Sequence, residues 1–216
     1  MRYYGYNLIF NLLQKEAIDP QVVAKDRDLF LSDAQAIVKA KNLMGQQDAL
    51  PELENFWHLD ALHIILGELP PDKTTQQYLS SLLELPNAKL MTTVIDALLM
   101  QGQSIPNSAF EKVFDQPYYW YGLLKDLKFE DNLDKVPTEL LTQKHTATAY
   151  VYNYLEGNFN DLTSFNILEK RDFDDGEDQY NIYLYTFKMT GYDETYFGVV
   201  SQPADPKEID LSLIHI

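Results

Sequence analysis

Proline sets the strongest constraint on this chain. Pro51 and Pro71 stand 20 residues apart, as do Pro86 and Pro106, and Pro117 and Pro137. The first members of these pairs follow one another at 35 and then 31 residues. A proline ends the helix before it and suits the first turn of the next, where its missing N–H would have had no partner. Between the prolines the apolar positions keep helical spacing: Tyr78, Leu79, Leu82 and Leu83; Leu90, Val94, Ile95, Leu98 and Leu99; Phe110, Val113 and Phe114. LDALHIILGELPPD at 59–72 also aligns with IDALLMQGQSIPNS at 95–108, a shift of 36. Units of this length are the size of helical hairpins. The pattern therefore predicts HEAT-like stacked helical hairpins, with helices beginning near Pro71, Pro86, Pro106, Pro117 and Pro137. No TPR or ankyrin consensus is met. Pro20, with Asp19 as N-cap, begins a partial unit, and a further helix is expected from Ser32 towards Met44. The opening MRYYGYNLIFNLLQKEA reads as an amphipathic helix with Tyr3, Tyr6, Phe10 and Leu13 on one face.

The period changes after Ala147, Tyr150, Val151, Tyr154 and Leu155, which still keep helical spacing. From about Ser164 it becomes two. Ile182, Leu184, Thr186 and Lys188 alternate with Tyr183, Tyr185, Phe187 and Met189. Asp175-Gly176 and Thr190-Gly191 supply turns. Three antiparallel strands are expected near 165–173, 179–189 and 194–201, packed on the last helices because so small a sheet needs a partner. The fold class is mostly α with a β tail (α+β). The expected organisation is a helical-repeat region over 1–160, a small antiparallel β-meander over 161–205 and a tail over 206–216.

Hydrophobic residues make up 45% of the 216, enough for a sizeable core in one or two domains. With 33 acidic and 17 basic residues the net charge is −16, which repels phosphate backbones and anionic membranes; nucleic acid is not an expected partner. The absence of cysteine excludes disulfides, thiolate chemistry and cysteine-based zinc sites. The longest apolar runs fall far short of the roughly 18 residues a membrane span needs.

The sequence carries no catalytic, cofactor-binding or metal constellation. His58 and His63 are five apart and do not share a helix face, and His63 lies in an apolar stripe with Leu59, Leu62 and Leu66, as a satisfied, partly buried histidine does. RDFDDGEDQY at 171–180 places Asp172, Asp174 and Asp175 before Gly176. Its glycine falls one position early for a calcium loop, and Tyr183 stands where the bidentate glutamate belongs, so it reads as a solvated hairpin turn. No nucleophile elbow and no phosphate-cradling glycine loop occurs.

DQPYYWYGLLKDL at 115–127 is the one conspicuous aromatic run. On a helix from Pro117, Trp120, Leu123, Leu124 and Leu127 form the core stripe. Tyr118 and Tyr121 are read as boundary residues and Tyr119 as exposed. Packing between repeats is the leading reading for these rings, and Tyr118, Tyr119 and Tyr121 are the candidate peptide contact.

Helical repeats lead into YVYNYLEGNF, FNILEKRDF, YNIYLYTFKM and TYFGVV. This order resembles the long C-terminal region of large Bacteroidetes TraB/GumN-type proteins, over most of residues 50–205. The family's Gly-x-x-His and glutamate-containing catalytic elements have no counterpart here, so the resemblance carries over no functional residue and places any hydrolase activity on other sequence. It implies a bacterial protein, with the cell envelope or periplasm as its setting. The final LSLIHI, Leu211–Ile216, reads as a translated sequencing adapter, the alternative being a natural short edge strand. The expected function is a noncatalytic scaffold or protein/peptide-binding region of a larger bacterial protein, its partner a protein, a peptide or another domain of the same chain. The alternative is a fragment of a hydrolase whose carboxylate-lined cleft is assembled by the fold.

Overall fold

The computed structural model describes residues 2–40, 53–159, 162–174, 176 and 179–203. Pro51, Asp175, the expected helical residues 41–44 and the tail over 206–216 lie outside them. The chain is mostly helical, with a small three-stranded antiparallel sheet at its C-terminal end. It divides into two compact units, Met1–Val113 and Phe114–Ile216.

In the first unit, α1 (Arg2–Gln14), α2 (Pro20–Val23) and α3 (Arg27–Ala40) precede α4 (Leu53–Glu68), α5 (Lys73–Leu82), α6 (Ala88–Met100) and α7 (Asn107–Phe114). Helix α4 is the hub. It packs on α1, α3 and α6, and α6 packs on α5. Leu59, Ala61, Leu62, His63, Ile65 and Leu66 of α4 are all buried, which is how a helix apolar on nearly every side must sit. At Gly67 α4 and α6 are tightly apposed: a Cβ there would stand 2.8 Å from the Ala97 Cα. The two aligned segments at 59–72 and 95–108 thus include helices that pack on one another.

Helix starts follow the prolines and their caps. α2 begins at Pro20, and Asp19 accepts from the Gln21 N–H at 2.8 Å. α5 and α6 begin two residues after Pro71 and Pro86, capped by Asp72 on the Thr75 N–H (2.9 Å) and Asn87 on the Leu90 N–H (3.0 Å). α7 begins next to Pro106, and α8 (Pro117–Phe129) at Pro117. Pro137 departs from the expectation. Its carbonyl accepts from the N–H groups of both Leu140 and Leu141, closing one turn that buries both leucines. The helix proper, α9 (Gln143–Phe159), starts behind Thr142, whose hydroxyl accepts from the His145 N–H at 3.4 Å. A local Thr cap, not the proline, sets that boundary.

In the second unit, α8 packs on α9, and α9 packs on the sheet β1 (Leu162–Asp174), β2 (Gln179–Met189) and β3 (Tyr196–Pro203). The strand order is β1-β2-β3 and both pairings are antiparallel. Tyr183, Tyr185, Phe187 and Val200 share a buried cluster with Ala147, Tyr150, Val151 and Leu155 of α9. The helices that cover the sheet therefore lie in the same compact unit as the sheet.

Candidate functional site

The core of the first unit holds a chain of polar side chains centred on His63. His63 is 0% exposed. Its Nε2 lies 3.1 Å from the Tyr78 hydroxyl and its Nδ1 3.5 Å from the Thr93 hydroxyl, which in turn lies 3.5 Å from Asp60 Oδ1. α4 supplies Asp60 and His63, α5 supplies Tyr78 and α6 supplies Thr93. Burial pushes His63 down to about 3, so the imidazole is neutral at ordinary pH. Burial pushes Asp60 up to about 6, against the lowering influence of Lys89 and the Thr93 hydroxyl. An imidazole with no exposed surface cannot meet a substrate. The chain joins three helices and gives His63 hydrogen-bonding partners as expected, with the ring buried completely rather than partly.

These two groups pull stability in opposite directions. As pH falls from 6.5 towards 3 the unfolded chain protonates His63 and the folded chain does not, so stability is lost. As pH falls from about 6 towards the ordinary 3.8, the folded chain protonates Asp60 first, so stability is gained. Relative to the parent, His63→Gln should gain stability between pH 6 and pH 4 and Asp60→Asn should lose it. Each slope should approach about 1.4 kcal/mol per pH unit. Urea denaturation at stepped pH checks this; curves parallel to the parent would refute both assignments.

A shallow groove of about 500 Å³ lies elsewhere in this unit, lined by Asp19, Glu68, Leu69, Pro70, Pro71 and Met100 among others. Its two carboxylates have work within the fold. Asp19 caps α2, and Glu68 accepts from Gln14 Nε2 at 2.9 Å.

The charged second half of β1 is solvent-facing. Asp174 accepts from the Gly176 N–H at 2.8 Å, Asp172 pairs with Lys170 at 3.1 Å, and Glu169 pairs with Arg171 at 2.8 Å. Among the described residues no three His, Cys, Asp or Glu side chains converge as a metal would require. No helix among them is long and apolar enough to cross a membrane.

The tyrosines of α8 sit differently from the expectation. Trp120, Leu123, Leu124 and Leu127 are buried as expected, but Tyr118 is 44% exposed while Tyr119 and Tyr121 are half-buried. The helical geometry explains the exchange. At 3.6 residues per turn Tyr118 lies roughly 170° from the centre of the buried stripe, and Tyr119 and Tyr121 lie about 90–110° to either side. Tyr121 packs against the sheet cluster, with its ring 5.7 Å from that of Tyr150. Tyr119 meets Tyr118 edge to face at 5.4 Å. Of the three candidate contact residues, Tyr118 is the one presented to solvent.

A larger apolar surface lies on the sheet. Odd-numbered residues of β2 face α9, so Tyr180, Ile182 and Leu184 face away. Register places Phe173 opposite Tyr180, Val199 opposite Leu184 and Phe197 opposite Thr186. Phe173, Val199 and Phe197 are 51%, 54% and 68% exposed. These aromatic and aliphatic groups continue across three strands on the side that α9 does not cover. The alternation on β2 is apolar in both phases, so the sequence alone left the exposed face unassigned.

Comparison with known proteins finds no matching family model, no matching curated protein and no matching solved structure.

Proposed function

We propose that this chain is a noncatalytic scaffold of HEAT-like helical hairpins that presents a protein- or peptide-binding surface, as part of a larger bacterial protein. The observation that carries the binding role is the outer sheet face, where Phe173, Val199 and Phe197 stand in solvent. Exposed apolar side chains grouped on one face are what a partner covers. The helices that start within two residues of Pro71, Pro86, Pro106 and Pro117 support the hairpin reading. The TraB/GumN-type resemblance belongs to the same proposal and supplies the larger protein. Screening the full chain against a dense array of overlapping bacterial peptides tests it. Retention of a defined set of peptides is expected; retention of none would refute the binding role.

The second reading is a hydrolase fragment with a carboxylate-lined cleft, favoured by the groove that contains Asp19 and Glu68. It requires turnover of an ester or peptide substrate that is lost in Glu68→Gln.

A further inference from the structure

The two edges of the sheet are built differently. β1 carries Glu169, Lys170, Arg171, Asp172 and Asp174 in its second half, and its register with β2 shifts at two places. Charges and bulges of this kind prevent an edge from pairing with another strand. β3, at the opposite edge among the described residues, reads YFGVVSQP with no charged residue, and it pairs with β2 through eight residues without a register shift. Gly198 adds no side chain on the α9 side. A Cβ there would stand 2.3 Å from the ring of Tyr185, which fills that space from the neighbouring strand. On the other side Phe197 and Val199 are exposed and alternate along the strand. Backbone groups in regular register, two apolar side chains on one face and no protective charge are the requirements for strand addition.

Charge selects the occupant. Asp193 and Glu194 precede β3, and Asp205, Glu208 and Asp210 follow it against Lys207 alone. The whole chain carries −16 and acidic residues flank β3 in the sequence, so a second copy brings like charge to this edge. We infer that the outer edge of β3 takes up an extended segment of another protein, uncharged and β-prone in its middle and carrying lysine or arginine at each end. This rests on the protein-binding reading above and gives it a place and a partner chemistry.

The test uses the full chain and three fluorescent peptides: Lys-Lys-Thr-Val-Tyr-Val-Thr-Lys-Lys, the same sequence with glutamate for every lysine, and the lysine form with its central tyrosine replaced by proline. Anisotropy should show binding of the first, with the glutamate and proline forms weaker by at least about tenfold. Val199→Lys and, separately, Phe197→Lys place a charge on an exposed position of the edge, and each should weaken binding by at least about tenfold with an unchanged melting temperature. Hydrogen exchange should show alternate β3 amides fast in the free chain and slow with the lysine peptide bound. Binding that survives both lysine substitutions overturns the β3 assignment while leaving a peptide-binding scaffold intact. Absence of binding by the lysine peptide overturns the inference even where other peptides are retained. Uniform protection of β3 in the dilute free chain overturns it too, because the edge is then already filled, by a second copy if sedimentation shows a dimer and by the chain's own sequence if it shows a monomer.

Discussion

Gln101→Leu should destabilise the first unit by about 3–5 kcal/mol, the summed effect of several buried backbone groups left without partners. Helix α6 ends at Met100, and Gly102, at φ 71°, reverses the chain in the left-handed region. The Gly102 N–H bonds to Leu99 O at 2.8 Å and the Gln103 N–H to Leu98 O at 2.9 Å, the paired bonds of a Schellman motif. That ending holds Gln101, 2% exposed, as the C-cap residue. Its Nε2 donates to the carbonyls of Leu66, Gly67 and Leu69 at 3.0, 2.9 and 2.6 Å, and its Oε1 accepts from the Asp72 N–H at 3.1 Å. One amide therefore satisfies the last carbonyls of α4 and the residue that caps α5. Leucine fills similar volume and supplies none of these bonds.

Gln101→Glu separates hydrogen bonding from size. A carboxylate cannot donate to three carbonyl oxygens, so the folded state must hold Glu protonated and its pKa must rise. A raised acid costs stability at neutral pH and returns it as pH falls through the folded pKa. Gln101→Glu should therefore be at least as unstable as Gln101→Leu at pH 7.5 and partly recover by pH 5. Guanidinium denaturation at both pH values reads this directly. A loss below about 1 kcal/mol for both variants would mean that water satisfies these carbonyls as well as the amide does.

The Gln101 arrangement shows where reading from sequence stops. Gly102 after a helical apolar run marks the end of α6 locally, and that signal is plain in the chain. The carbonyls that Gln101 serves lie more than thirty residues earlier, and no local pattern points to them. His63 divides in the same way. Its place in the stripe of Leu59, Leu62 and Leu66 indicates burial, whereas its partners on α5 and α6 come from packing. The strands were legible because only an alternating pattern suits a sheet with one covered face, and all three lie close to the expected spans. Which phase of β2 is covered was not, since Ile182 and Leu184 are as apolar as Tyr183 and Tyr185. The small Ala147 and the branched Val151 on α9, with Tyr150 and Leu155, decide it by packing on the odd-numbered residues. The candidate binding surface is thus what remains of an ambiguous pattern once α9 has taken one side. The exposure of Tyr118, by contrast, follows from helical geometry alone.

Trp120→Ala should cost about 3–5 kcal/mol, the range for deleting a large buried aromatic side chain. The ring is 1% exposed, heads the stripe completed by Leu123, Leu124 and Leu127, and meets Phe114 edge to face at 5.5 Å. Phe114 in turn meets His145 of α9 at 4.6 Å, so removing the indole also loosens the contact that seats the first turn of α9. Tyr118→Ala, on the exposed side of the same helix, should cost less than about 1 kcal/mol. The informative variant is Trp120→Phe. The indole Nε1 is buried with no hydrogen-bond partner among the described residues. An unpartnered buried donor carries a penalty of about 1–3 kcal/mol, which phenylalanine removes along with part of the ring. The lost packing and the relieved donor then offset one another, so Trp120→Phe should fall within about 1 kcal/mol of the parent although the side chain is smaller. Equilibrium denaturation of the three variants orders them as Ala at 120 worst, with Phe at 120 and Ala at 118 both mild. A Trp120→Phe loss matching that of Trp120→Ala would mean that the indole N–H is paired in solution, and the ring is then held by a hydrogen bond as well as by shape.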